Sequence, residues 1–374
     1  MAGRSVVVYE ASCQKEEALR KAVDRIRWDA QGRTPILILF FSSNLRFYYF
    51  SSKLHEEFPD TTVVGAVSDM NISSDGMGEE GLSALAVFEG VQVSAGIITD
   101  IATYPLKHAP EIRESMMRLS DVSNTVCLEF TTSLVMAEEL VLDTLKECLE
   151  GTGIPAVGSS TGVANESIMT YVSLNGDVYS EGTVYLFIRN EWGRIGIYRE
   201  MMYRKSGFKF TATDVDCEDR SLLEIDSRPA ALYLEDKLSM KKSELLSYLH
   251  YHPLGRIVDD DIYITSVADV TNNSELNLYA RVYNRTKLTL LEPRDFEETW
   301  NETLEAIHRD YPGRSFSVMI NCCVRTGIFK EKGVLSKFRE KFMNECGGYV
   351  GISGSGEHYN FEHTNQTMLM VVFE

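Results

Sequence analysis

Four residues near the C-terminal end of the sequence carry the richest chemistry. Cys322-Cys323-Val324-Arg325 closes an apolar run that begins at Phe316. A guanidinium at the end of a buried strand is costly unless it is paired. Glu357, following the next strand, is the candidate partner. The pair serves either as a structural ion pair or as a ligand clamp. As a clamp, Arg325 holds a carboxylate through paired hydrogen bonds and Glu357 holds an amine, two groups that an amino acid presents together. A thiol at Cys322 or Cys323 beside Arg325 has the surroundings that can activate a cysteine, which keeps a thiol enzyme as an alternative.

Other motifs are less specific. Gly158-Ser159-Ser160-Thr161-Gly162 fits G-x-S-x-G, but the serine elbow of hydrolases needs a helix directly after it. Val163-Ala164-Asn165-Glu166 leads instead toward strands, so Ser160 is expected to contact ligand rather than act as a nucleophile. Gly351 to Gly356 is rich in glycine, yet it has neither G-x-G-x-x-G spacing nor a phosphate-binding lysine. His250 and His252 would share a face if they lay on a strand. His358 and His363, close to Glu357 and Glu362, are candidate haem ligands, although their spacing matches no standard metal site and no metal is assigned.

These residues recur within a repeated unit. Each copy has an apolar strand ending in small polar residues, an amphipathic helix, a second strand ending in a Val-Gly turn followed by Ser or Thr, and a return strand. The first copy starts at Ile36, with a helix expected over about 47–58, a second strand Thr61-Thr62-Val63-Val64-Gly65 leading to Ser68, and a return over 82–88. The second starts at Val126, has its helix over about 137–150, and turns at Val157-Gly158, with strands expected over 170–174 and 182–188 around the hairpin signal Asn175-Gly176. The third starts at Phe316, has its helix over about 334–346, turns at Val350-Gly351-Ile352-Ser353, and returns over 367–373. Strand–helix–strand units favour parallel pairing, and the return strand makes each sheet mixed. Ligands of open α/β sheets collect beyond the carboxyl ends of strands, which places Ser68, Ser160 and Ser353 in a candidate site.

The chain has 374 residues with 44% hydrophobic and 25% charged, enough apolar material for two domains. The boundary is expected near residues 193–208, giving domains 1–200 and 201–374. Thirty-seven basic residues against 55 acidic give a net charge of −18, which argues against nucleic acid and against an anionic membrane surface. The lysines between Lys237 and Lys242 are too few to change that. The longest apolar run, Ile36 to Phe41, is far short of the roughly 20 residues that span a bilayer, so no membrane insertion is expected. Residues 1–5 lead directly into Val6-Val7-Val8 without a signal-peptide pattern. The seven scattered cysteines form no C-x-x-C pair, and a reducing cytoplasm is the expected compartment.

The sequence resembles the FIST family, named for F-box and intracellular signal-transduction proteins, in both its N-terminal and C-terminal regions. The matching residues are Val64-Gly65-Ala66-Val67-Ser68 with Gly76, the segment Leu223 to Ala230, Cys322-x-x-Arg325, Gly356-Glu357 and Asn365-Gln366-Thr367. Ser227 stands where the family usually has glycine, and serines replace the aromatic Gly-Tyr-Gly-like turn common after the third copy's second strand. The resemblance implies a non-enzymatic sensor of α/β class, with repeated β-α-β-β units forming mixed sheets flanked by helices in two layered lobes. It implies a small ligand such as an amino acid, held by Arg325, Glu357, Cys322, Asn365, Ser353, Ser68 and Ser160, and a separate downstream signalling protein. Because some bacterial members bind haem, a haem-based gas sensor is one alternative; a non-catalytic interaction adaptor is another.

Overall fold

The computed structural model describes residues 3–12, 14–162, 169–259 and 261–374. It divides into two compact units that interleave along the chain. The first comprises Met1–Arg199, Trp300–Phe361 and Met368–Glu374; the second comprises Glu200–Thr299 and Glu362–Thr367.

The first unit contains all three repeats. In the first, the leading strand Leu37–Ser42 runs parallel to Thr62–Val67 across the helix Asn44–Glu57, and Leu82–Val87 returns antiparallel on the leading strand's other side. In the second, Thr125–Thr131 pairs in parallel with Ala156–Ser160 across the helix Glu138–Leu149, and Gly182–Asn190 returns. In the third, Phe316–Cys322 pairs with Tyr349–Gly354, and Thr367–Phe373 returns, with Met368 opposite Asn321. The third crossover holds two helices, Cys323–Glu331 and Leu335–Glu345. The sequence suggested only the later one, so Cys323 and Arg325 lie in a helix rather than on the strand end.

After its second strand, each repeat sends a short strand into a different repeat's sheet. Asn71–Ser73 of the first pairs with Tyr349–Gly354 of the third. Val172–Leu174 of the second pairs with Thr62–Val67 of the first. Gly356–Tyr359 of the third pairs with Ala156–Ser160 of the second. The exchange closes into a ring. Three equivalent backbone hydrogen bonds follow the same cycle: Asp69 N–H to the Ser353 carbonyl at 3.0 Å, Gly162 N–H to Val67 at 3.3 Å, and Ser355 N–H to Ser160 at 3.0 Å.

The inner faces of the three sheets share one apolar core, which includes Leu39 and Phe41, Leu128 and Phe130, and Val318 and Ile320. Strand alternation turns every second residue outward under the helices. Phe40 packs there with Phe47 and Phe50, Cys127 with Val141 and Leu145, and Phe329, Phe338 and Phe342 of the third repeat form an aromatic cluster with Trp300 of the preceding helix, Phe296–Asp310.

In the second unit, the long strand Tyr203–Asp216 pairs with Lys287–Pro293 on one side and Ser221–Ile225 on the other. Two helices, Ala230–Leu238 and Lys242–Tyr251, cover a core that includes Leu222, Leu234, Leu245 and Leu288. His250 is therefore helical, and it does not share a strand face with His252. At the turn where the family's glycine is replaced, Asp226 and Ser227 have φ of +47° and +64°, the left-handed region that suits glycine.

Candidate functional site

In the first unit the end of the third repeat's leading strand is a buried polar knot. Cys322 is the N-cap of the helix Cys323–Glu331, which puts Arg325 in the first helical turn. The Arg325 side chain is fully buried; one guanidinium nitrogen donates to Asn321 Oδ1 and the group lies over the rings of Phe329, at 4.7 Å, and Phe338, at 5.3 Å. Burial lowers its pKa to about 9, opposed by the attraction of Glu357. It therefore stays charged at neutral pH, coupled to a carboxylate that is itself fully buried.

Neighbouring hydroxyls continue the knot. Asn321 Nδ2 donates to Thr326 Oγ1 at 2.7 Å and to the Cys322 carbonyl at 3.2 Å, and Thr326 donates to that same carbonyl at 3.1 Å. Thr326 Oγ1 lies 3.3 Å from Ser353 Oγ, and the Ser353 N–H donates to Ser68 Oγ at 2.9 Å. The structure thus brings together Arg325, Cys322, Ser353 and Ser68, with Glu357 coupled to the arginine.

Ser160 belongs to a second cluster built on the second repeat. His358, fully buried, directs Nδ1 to Glu129 Oε1 and has Nε2 3.2 Å from Ser160 Oγ, while the Ser160 hydroxyl donates to Glu138 Oε1 at 3.1 Å. Glu129 Oε2 accepts from Thr131, whose hydroxyl lies 2.9 Å from that of Thr183. Burial works to lower the His358 pKa, but the Glu129 carboxylate, with Glu138 and Glu139 beyond it, more than offsets this, so the pKa is raised. Both ring nitrogens of His358 are thus within hydrogen-bond reach of protein side chains. Ser160 ends a strand, and Val163, Ala164, Asn165 and Glu166, which bear on the elbow motif, lie outside the described residues.

Asn365 and His363 fall in the second unit. Asn365 Oδ1 accepts from the Ser266 N–H at 3.0 Å, and Gln366 Nε2 donates to Ser266 Oγ at 3.0 Å. Thr364 Oγ1 accepts from the Ile264 N–H at 2.9 Å, and Arg256 donates to Glu362 at 3.0 Å and to the His363 carbonyl. Within that unit the segment containing Asn365 is stitched down by its own side chains.

Sequence reasoning missed Glu129. A carboxylate inside the run Val126-Cys127-Leu128-Glu129-Phe130 was the available signal, because a buried strand admits a charge only with a partner.

Among the described residues no helix is long and apolar enough to cross a membrane. No curated protein sequence matches the chain. Among solved structures, a cyanuric acid hydrolase from A. caulinodans is similar over 98% of both chains, at 8% identity and a TM-score of 0.38, a level that carries no argument about activity. The FIST N domain matches residues 36–228 and the FIST C domain matches residues 230–360. Those two matches cover most of the sequence, and the chain belongs to the FIST family.

Proposed function

We propose that this FIST protein senses an amino acid or a similar metabolite and passes the event to a separate signalling protein. FIST domains are associated with sensory signalling and small-ligand binding. The observation that carries the finer reading is the Arg325 guanidinium, charged, fully buried, held against Phe329 and Phe338 and coupled to Glu357. A guanidinium fork suits a carboxylate, and the Glu357 carboxylate coupled to it suits an amine. Ser353, Ser68 and Thr326 add neutral hydroxyls to the same knot.

Because both charged groups are buried, ligand entry requires the strand ends to part. A ligand that binds the parted form shifts the protein toward it, and a partner that distinguishes the two forms reads the shift. The scattered cysteines, none of them in a disulfide among the described residues, suit a reducing compartment such as the cytoplasm. The test is a thermal-shift screen against amino acids, small carboxylates and haemin. A compound that stabilises the wild-type protein and not Arg325→Lys or Glu357→Gln supports the reading. Stabilisation by haemin alone overturns it in favour of a haem sensor.

A further inference from the structure

The threefold repetition provides an internal comparison for the Glu129–His358 pair. Across the outward face of each sheet, one leading-strand residue, one glycine and one exchanged-strand residue lie side by side. In the first repeat's sheet they are Phe40, Gly65 and Ser173; in the third's, Met319, Gly351 and Ile72. In the second's they are Glu129, Gly158 and His358. The same backbone is thus built twice without an ionisable group at these places. A buried ion pair adds little stability over apolar side chains of similar volume, and often less. The architecture does not require Glu129 and His358.

His358 sits on the strand that closes the ring between the third and second repeats, and Glu129 sits on the leading strand of the sheet which that strand joins. His358 lies on one face of Gly356–Tyr359, and its neighbour Glu357 points to the other. We propose that Glu129 and His358 form a proton-operated latch that fastens Gly356–Tyr359 to the second repeat's sheet and releases it when His358 loses its proton.

The hydrogen-bond directions explain the latch. With imidazolium, Nδ1–H donates to Glu129, Nε2–H donates to Ser160 Oγ, and the Ser160 hydroxyl donates to Glu138. Once Nε2 is deprotonated, its lone pair faces the serine oxygen. The hydroxyl then turns to Nε2 and leaves Glu138, or two lone pairs remain opposed. The groups facing His358 are Glu129 on the leading strand, near the Cys127 thiol, Ser160 on the second strand, and Glu138 and Glu139 at the start of the helix. These carboxylates favour the charged ring. Because the folded-state pKa is raised above 6.5, the latch is fully present below that value and is lost as pH rises through the folded pKa.

The test uses the full chain. Imidazole NMR of labelled histidine reads the His358 titration, and amide hydrogen exchange, corrected for base catalysis, reads protection along Gly356–Tyr359 and Ala156–Ser160. The expected midpoint lies above 6.5, with protection falling about tenfold per pH unit beyond it. In Glu129→Met/His358→Ile, which installs the third repeat's residues, protection is flat with pH. Should that variant fail to fold, Glu129→Gln decides: its midpoint drops. A His358 ring already neutral at pH 6.5, a midpoint unmoved by Glu129→Gln, or an unchanged pH slope in the double variant overturns the latch. None of these readings involves the ligand, so the latch and the amino-acid reading fail separately.

Discussion

Glu129 lies so close against Gly158 that a Cβ built on the glycine would stand 1.8 Å from Glu129 Oε1. The equivalent glycines make the same allowance for different neighbours: Gly65 for the Phe40 ring, at 2.2 Å, and Gly351 for Met319, at 2.8 Å. One backbone solution has accommodated three unrelated side chains, and only in the second repeat is the neighbour charged.

Gly158→Ala, Gly65→Ala and Gly351→Ala are each expected to destabilise the protein by about 1–3 kcal/mol through overpacking. Gly158→Ala additionally displaces Glu129 from His358. Urea unfolding ranks the three, and for Gly158→Ala alone the pH dependence of stability changes as well.

Arg325→Met removes the charge that faces Glu357 and the donor to Asn321. Leaving a buried carboxylate without this partner costs about 3–5 kcal/mol. Arg325→Lys keeps the charge and loses the planar fork and the stacking on Phe329 and Phe338, so its loss is smaller while its ligand response is abolished. Chemical denaturation and ligand titration, run together, separate the two effects.

Thiol reactivity follows burial. Burial pushes the Cys346 thiol up to about 12, against the pull of Arg314, and pushes Cys127 well up, with Glu129 adding to it. In a Cys13→Ser background at pH 8, labelling is fast at the half-exposed Cys217 and Cys323 and slow at buried Cys127, Cys148, Cys322 and Cys346. Mass spectrometry after brief labelling checks the order. Rapid labelling of Cys322 would revive the thiol-enzyme alternative.

Ser227→Gly relieves a left-handed residue whose N–H already donates to Thr213 Oγ1 at 2.8 Å. The gain is below about 1 kcal/mol, because glycine also frees the unfolded chain. Thermal unfolding of the variant measures it.

The three strand–helix–strand units were legible because each carries its own signals: an apolar run, a helical period, and a glycine followed by Ser or Thr. The coupling of Arg325 to Glu357 was legible for a related reason, since a charge just beyond a buried apolar run needs an opposite one nearby. The exchange of strands was not. Asn71–Ser73 and Val172–Leu174 are three residues each, too short for periodicity, and their partners are far away in sequence. The helix Cys323–Glu331 was hidden because it starts directly after the last strand residue, Cys322, with no intervening turn. Only the family resemblance groups Asn365 with Arg325. In the fold, its carbonyl oxygen is already taken by the Ser266 N–H within the second unit.

The central claim is that Arg325 and Glu357 receive a ligand carrying a carboxylate and an amine. Calorimetric titration of the wild-type chain with the stabilising amino acid tests it most directly, alongside the same compound with its amine acetylated and with its carboxylate amidated. The expected result is saturable binding of the parent compound, and a loss of at least about tenfold in affinity for either blocked form, corresponding to about 1.4 kcal/mol. Equal binding of all three compounds, or binding unchanged in Arg325→Lys and Glu357→Gln, would contradict it.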